Sequence, residues 1–172
     1  VKRAAINTTQ VLVSKMNPTG NRRGYFLALG STNVISVMLR TDTSFTSQKL
    51  TYKSTNTITD TNWHHIVFTY DGGVAQSSGQ IYIDGVAETM VATGGGSMSS
   101  INSSATTAFQ ISGINTTPTS PANGHLDEVA VFDSELSASD VTNIYNGGGS
   151  GKPGDLTSLS PVSWWRFEEG SG

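Results

Sequence analysis

Residues 63–70 read WHHIVFTY, an unbroken run rich in aromatic and β-branched side chains. Such residues favour β-strands, and successive side chains of a strand point to opposite faces of its sheet. Ile66, Phe68 and Tyr70 therefore share one face, and the residues between them share the other. The stretch predicts a β-strand at the centre of a sheet.

The residues that follow this strand predict a hairpin. Residues 80–83 (QIYI) and 86–91 (VAETMV) flank the pair Asp84-Gly85. A two-residue type I′ turn requires positive φ at both central positions, which Asp followed by Gly tolerates. We expect two antiparallel strands joined at this pair.

Short apolar segments recur along the rest of the chain, separated by clusters of Gly, Asn, Asp and Ser. They lie at residues 11–14, 25–29, 34–39, 49–52, 109–113 and 125–132. One helix is expected at Ser137–Asn146, because Ser137 and Asp140 have the spacing of a capping box and Gly147 is placed to stop the helix. Many short strands and one brief helix predict an all-β fold, a two-sheet antiparallel jelly-roll sandwich.

The composition indicates one domain and excludes several classes of partner. A length of 172 residues suits a single core. The net charge is −3 and no cluster of Lys and Arg exceeds two neighbours, so we expect no nucleic-acid partner. No apolar run approaches the roughly 20 residues that span a bilayer, so we expect no membrane insertion. The absence of cysteine excludes disulfides and thiolate chemistry.

The chain divides into three parts by composition. Residues 1–146 are predicted to form the jelly-roll domain, and residues 147–160, rich in Gly, Ser and Pro, to form a flexible linker. Residues 161–172 return to strand character. They are expected to be either a closing strand that folds back on the sheet or the first strand of a following repeat.

Several segments together resemble the laminin-G-like, concanavalin-A-like jelly-roll family. They are WHHIVFTYDGG at 63–73, GQIYIDG at 79–85, GHLDEVAVFDSELSASDVTNIYNGG at 124–148 and VSWWRFEEGSG at 162–172. Residues 1–3 resemble the interior of an early strand of such domains, so part of that strand is expected to be missing. The last segment resembles an opening strand, although it stands at the C-terminal end. Residues 154–165 also resemble linkers in structural proteins of marine bacteriophages.

Three groups of residues invite an acid/base, catalytic or metal-binding interpretation. His64 and His65 with Asp71 are the first, but neighbours on a strand point apart, so the two histidines cannot bind one ion. His125 and Asp127 share a face and form the second. A glycoside hydrolase needs two carboxylates on one concave face, whereas Asp127 and its neighbour Glu128 point opposite ways. We therefore expect no catalytic residues and no enzymatic activity.

The third group concerns calcium, which the family resemblance implies, because laminin-G-like folds often hold this ion with loop carboxylates. Asp71 and Asp84 are the candidate ligands, although each also begins an Asp-Gly step with a turn-forming role. We expect no cofactor and leave calcium open. For ligand binding, Trp63, Trp164 and Trp165 are the aromatics able to stack on sugar rings, and Trp164 and Trp165 are the candidates carried forward.

Two functional hypotheses follow, both for a non-enzymatic module. The first is a virion component, such as a capsid decoration, tail or fibre, that contacts other protein subunits and adheres to host glycans. The second is a carbohydrate-binding or adhesion domain of a secreted bacterial protein, with calcium dependence left open. Both place the protein on a virion surface or outside the cell, and both lead us to expect a homo-oligomer.

Overall fold

The structure, a computed structural model, describes residues 1–16, 23–41, 49–94, 107–114, 120–147 and 154–168. Within these ranges the chain forms short antiparallel strands and one α-helix. In chain order they are β1 (Lys2–Arg3), β2 (Gln10–Met16), β3 (Gly24–Leu29), β4 (Ile35–Arg40), β5 (Lys49–Ser54), β6 (Ile66–Tyr70), β7 (Gly79–Ile83), β8 (Val86–Ala87), β9 (Met90–Gly94), β10 (Gln110–Ile111), β11 (Gly124–His125), β12 (Val129–Val131), α1 (Ala138–Gly147) and β13 (Ser163–Trp165).

One layer is a six-stranded sheet in the order β10-β2-β3-β4-β5-β9. The other layer is built from smaller pieces: β6-β7-β8, β1-β11 and β12-β13. Lys2 joins two of these pieces, because it pairs with His125 and also bridges to Trp63, just before β6. The predicted all-β antiparallel sandwich is confirmed.

The core lies between the two layers. Leu29, Ile35, Leu50 and Tyr52 from the six-stranded sheet and Ile81 from β7 are all fully buried. Across the layers, the rings of Tyr52 and Phe68 lie 5.2 Å apart. Burial of these apolar side chains is the main stabilising contribution, at about 1.5–3 kcal/mol for each large residue.

The hairpin and the helix follow the sequence prediction closely. Asp84 and Gly85 have φ of 52° and 79°, the positive values that a type I′ turn requires. Ser137 Oγ accepts a hydrogen bond from the Asp140 backbone N–H at 3.1 Å, and Asp140 accepts one from the Ser137 N–H at 3.0 Å. This reciprocal pair begins α1 as predicted. Gly147 does not stop the helix but is its last residue.

Four predicted strands are interrupted or shortened. The strand expected at 63–70 begins at Ile66 and pairs only with β7 among the described residues, so its predicted central position is wrong. Only residues 63 and 64, which precede the strand, contact the N-terminal residues that lead into β1. The strand expected at 86–91 splits into β8 and β9. The Glu88 N–H donates a hydrogen bond to the Ile81 carbonyl in one layer, whereas the Thr89 carbonyl accepts one from the Thr55 N–H in the other layer.

The remaining two differences lie near the C-terminal half. The strand expected at 125–132 breaks into β11 and β12 because Glu128 has a φ of 53°, which a strand cannot accommodate. The strand expected at 109–113 is limited to Gln110–Ile111, because Ser112 has a φ of 64°. Ser112 and Glu128 both adopt a left-handed backbone conformation although neither is glycine, so no glycine at these positions indicates in the sequence that a strand ends there.

The C-terminal segment lies against the domain. Of the predicted linker, residues 148–153 fall outside the described ranges. Residues 154–160 contain a short 3-10 turn, and Leu156 within them is buried. Strand β13 then pairs antiparallel with β12, Trp164 opposite Ala130. The division at residues 146 and 160 stays a prediction. No helix in the described residues is long and apolar enough to cross a membrane.

Candidate functional site

Three exposed side chains lie side by side where β1 meets its two neighbours. Lys2 is directly opposite both Trp63 and His125, and residues directly opposite in antiparallel pairs project from the same face. The Trp63 side chain is 45% exposed, and Lys2 and His125 are exposed as well. The Trp63 and His125 rings are 6.3 Å apart and inclined by 45°. We call Lys2, Trp63 and His125 the Trp63 row.

The chemistry of the Trp63 row is that of an amphipathic contact surface. The indole offers a flat apolar ring face, which most folded proteins bury. The Lys2 ammonium is a donor of three hydrogen bonds, and the His125 imidazole can donate or accept. An apolar ring face flanked by hydrogen-bonding groups fits a ligand that is itself apolar on one face and polar at its edges.

His64, the next residue after Trp63, lies between two carboxylates. Its Nδ1 is 2.8 Å from Asp84 Oδ2 and its Nε2 is 2.9 Å from Asp60 Oδ1. Burial alone lowers the pKa of His64, but the hydrogen bonds to Asp60 and Asp84 outweigh burial and raise it above its usual 6.5. The pKa of Asp60 is lowered in turn, first by the Asn62 backbone N–H and then by His64. The three groups favour an imidazolium between two carboxylates.

His65 behaves in the opposite way. Its ring stacks on Tyr145 of α1 at 5.9 Å, and its Nδ1 is buried without a hydrogen-bond partner in the described structure. Burial lowers the pKa of His65 to about 4, so the ring is neutral at physiological pH. The pKa values of the two neighbouring histidines are therefore shifted in opposite directions, because His64 lies between two carboxylates and His65 is buried against Tyr145.

A family model for Laminin_G_3, described as the concanavalin A-like lectin/glucanases superfamily, matches residues 1–142. The chain belongs to this family. The resemblance read from the sequence segments is thereby confirmed. Among solved structures, this laminin-G-like chain is similar to an S-layer domain-containing protein from Clostridium thermocellum, with 19% identity and a TM-score of 0.41. The match covers 85% of this chain and 66% of that one, just under two thirds. No curated protein matches.

The two tryptophans predicted as ligand contacts lie half-buried on β13 of the laminin-G-like domain. Trp165 stacks on Phe109 at 5.2 Å with the rings 9° from parallel. Trp164 donates its indole N–H to Glu128, and the Arg166 guanidinium lies 4.8 Å from its ring centre. One ring face of Trp165 and the N–H of Trp164 are therefore already in contact with other residues of the domain. Trp63 is more exposed than either of them. Sugar contacts by Trp164 and Trp165 stay a prediction.

The two aspartates predicted as calcium ligands do not come together. Asp84 lies opposite His65, while Asp71 follows Tyr70 at the other end of β6, roughly 20 Å away at about 3.3 Å per residue. Asp71 accepts a hydrogen bond from the Gly73 N–H, and both Asp84 oxygens are occupied by His64 and His65. The described residues contain no group of three or more His, Asp or Glu able to hold an ion. This pair does not fit one calcium site.

The grouping of His64, His65 and Asp71, which the sequence analysis considered and disfavoured, also does not assemble. Asp71 is remote from His64, and the carboxylates that contact His64 are those of Asp60 and Asp84. The expectation that His64 and His65 face opposite ways is correct, although neither ring is free in solvent. Sequence reasoning missed Lys2 as a neighbour of Trp63, since only strand pairing across the fold brings the two together.

Proposed function

We propose that this laminin-G-like chain is an extracellular, non-enzymatic module for carbohydrate binding and adhesion, with the Trp63 row as its contact surface. The observation that carries the proposal is the exposed Trp63 ring beside Lys2 and His125 on one face. A pyranose ring presents an apolar face of C–H groups and a polar rim of hydroxyls. The indole ring suits the first, and the ammonium and imidazole suit the second.

Binding is favoured over hydrolysis by the state of the nearby carboxylates. A glycosidase needs one carboxylic acid and one carboxylate that both reach the sugar. Asp60 and Asp84 are instead engaged by His64, and the Asn62 backbone N–H, followed by His64, holds the pKa of Asp60 below its usual value. The superfamily description names lectins as well as glucanases, and the Trp63 row has the character of a lectin contact.

The test is a glycan array probed with the wild-type chain and with Trp63→Ala. We expect binding to a subset of neutral glycans, and about tenfold weaker binding when the indole is removed, since a stacked aromatic contributes on the order of 1 kcal/mol. Phe167→Ala is the matched control, because Phe167 is a comparably exposed aromatic, at 46%, outside the row. A parallel array with a chelator tests the calcium dependence that the sequence left open.

Two results contradict the proposal. One is an array on which the wild-type chain binds no glycan. The other is equal binding by the wild-type chain and Trp63→Ala, which would show that the glycan binds outside the Trp63 row. Lys2→Ala and His125→Ala are expected to weaken binding less than Trp63→Ala, since each removes only hydrogen bonds at the rim. The virion role and the homo-oligomer stay predictions of the sequence, for which the comparisons offer no support.

A further inference from the structure

The pair Asn123-Gly124 leads into β11, the strand that carries His125. Both residues of the pair are exposed. The backbone of Asn123 is held in place, because its carbonyl accepts a hydrogen bond of 2.8 Å from the Ala4 N–H. Its side-chain amide makes no hydrogen bond within the described residues. An exposed, unpaired amide followed by glycine is open to attack by the next backbone nitrogen.

The position of Gly124 in its ladder directs its N–H away from β1. Directly opposite residues of an antiparallel ladder alternate between hydrogen-bonded and non-hydrogen-bonded pairs. The bond from Ala4 to Asn123 makes theirs a hydrogen-bonded pair, so the next pair, Arg3 with Gly124, is not. No hydrogen bond outside the ladder uses the Gly124 N–H within the part of the chain that the structure describes. This nitrogen is therefore available as a nucleophile.

The fold requires glycine at position 124. Gly124 has a φ of 143°, and a Cβ at this position would overlap the Lys2 carbonyl oxygen across the ladder. A larger residue could be accommodated only if the main chain moved. Since glycine has no side chain, nothing at position 124 shields the Asn123 side-chain carbonyl from the Gly124 nitrogen. Strand pairing with β1 thus maintains a reactive neighbour beside Asn123.

We propose that Asn123 is a site of spontaneous modification, at which the asparagine is converted into aspartate and isoaspartate. The Gly124 nitrogen forms a bond to the Asn123 Cγ and gives up its proton, while the Cγ–Nδ2 bond breaks and ammonia leaves. Water then opens the five-membered succinimide ring. Opening at the Cγ carbonyl gives aspartate, and opening at the former backbone carbonyl gives isoaspartate. Water is the only co-reactant, and no electrons are exchanged with an oxidant.

Asn146-Gly147 is the same pair of residues in a different setting. It is also exposed, but it lies at the end of α1. There the Gly147 N–H is bonded four residues back in the helix, so its nitrogen must leave the helix before it can reach the Asn146 Cγ. The Gly124 nitrogen needs no such step. We expect Asn123 to react about tenfold faster, the ratio that about 1.4 kcal/mol of barrier produces.

Both products change the surroundings of the Trp63 row. Aspartate adds a carboxylate two residues before His125. In isoaspartate the main chain runs through the former side chain, which adds one carbon to the backbone of β11. The carbonyl that accepts the Ala4 N–H then belongs to a carboxylate outside the main chain. The regular pairing that places His125 opposite Lys2 is therefore disturbed.

The test incubates the whole chain at mildly alkaline pH and maps its peptides by a method that separates asparagine, aspartate and isoaspartate. In the folded chain we expect both products at Asn123, at about ten times the rate at Asn146. In concentrated urea neither pair is held by the fold, and we expect similar rates. Asn123→Gln is the matched control, because its amide would have to close a slower six-membered ring. We expect no conversion at that position and an unchanged rate at Asn146.

Three results overturn the proposal. The first is conversion of Asn123 in the folded chain that is no faster than that of Asn146. The second is the same preference for Asn123 in urea, which shows that the fold does not cause it. The third is formation of aspartate without isoaspartate, which shows direct hydrolysis and not attack by the Gly124 nitrogen. Both products at Asn123, with a preference over Asn146 that is lost in urea, support the proposal.

Discussion

The Asp84 carboxylate joins two histidines that follow each other in the chain. One of its oxygens lies 2.8 Å from His64 Nδ1, and the other accepts the His65 backbone N–H at 2.8 Å. Asp84 is also the first residue of the tight turn between β7 and β8, with a φ of 52°. A single residue thus shapes the hairpin turn through its backbone and holds the entry to β6 through its side chain.

Asp84→Asn is expected to destabilise the protein by about 1–2 kcal/mol, because a charge-assisted hydrogen bond becomes a neutral one. Asparagine tolerates the left-handed backbone at this position, so the turn itself is retained. The pKa of His64 is raised in the folded protein, so its stabilisation is full below 6.5 and is lost as pH rises through the higher folded value.

NMR titration of His64 and urea unfolding measure this prediction. We expect the pKa of His64 to fall in Asp84→Asn, and the difference in stability between variant and wild type to be larger at pH 6 than at pH 9. Asp133→Asn is the control, because Asp133 is exposed and has no described hydrogen bond to His64. An unchanged His64 pKa in Asp84→Asn contradicts the prediction.

His65→Phe is expected to make the protein less sensitive to acid. The pKa of His65 is lowered from 6.5 to about 4, chiefly by burial. Between these values the unfolded chain binds a proton that the folded chain excludes, so stability falls as pH falls through this window. The contribution of His65 to this loss is on the order of 2–3 kcal/mol. Phenylalanine keeps the stacking on Tyr145 and removes the proton site.

The measurement for His65→Phe is the free energy of unfolding at pH 7 and at pH 4.5. We expect the loss between the two pH values to be smaller in the variant than in the wild type. His125→Phe serves as the control, since His125 is exposed, and it is expected to lose as much stability as the wild type. Equal losses in His65→Phe and His125→Phe would falsify the prediction.

Ser137→Ala is expected to cost about 1 kcal/mol of stability. The variant removes the hydroxyl that accepts the Asp140 N–H at the start of α1. The helix buries Val141 and Ile144 and holds the hairpin turn through a hydrogen bond from Thr142 to the Gly85 carbonyl. Chemical denaturation compares it with Asn143→Ala, an exposed change inside the helix, which is expected to cause no loss. A loss of the same size in both variants argues against the cap.

Trp165→Ala and Trp63→Ala are expected to differ in stability, although each removes one indole. Trp165 is half-buried and stacked on Phe109, so its removal is expected to cost about 2 kcal/mol. Trp63 is 45% exposed, and its removal is expected to change stability by no more than about 0.5 kcal/mol. Thermal unfolding of both variants measures this, and a larger loss from Trp63→Ala contradicts the assignment of that ring to the surface.

Local signals in the sequence predicted the turn at Asp84-Gly85, the start of α1 at Ser137 and the all-β sandwich. Each of these depends on contacts between a side chain and a backbone group within about four residues, or on alternation along one strand. The break at Glu128 was missed, because a glutamate with a φ of 53° is held there by its surroundings and not by its own preference.

The family, the strand-rich composition and the local turns can all be read from the amino-acid sequence of this protein. The residues of the candidate site are brought together only by long-range strand pairing. Lys2, Trp63 and His125 meet because three strands far apart in the chain pair in one register, whereas Asp71 and Asp84 end at opposite ends of one hairpin. The register of a strand is set by how the whole apolar face of its sheet packs against the core, and no short stretch of sequence contains all of those contacts.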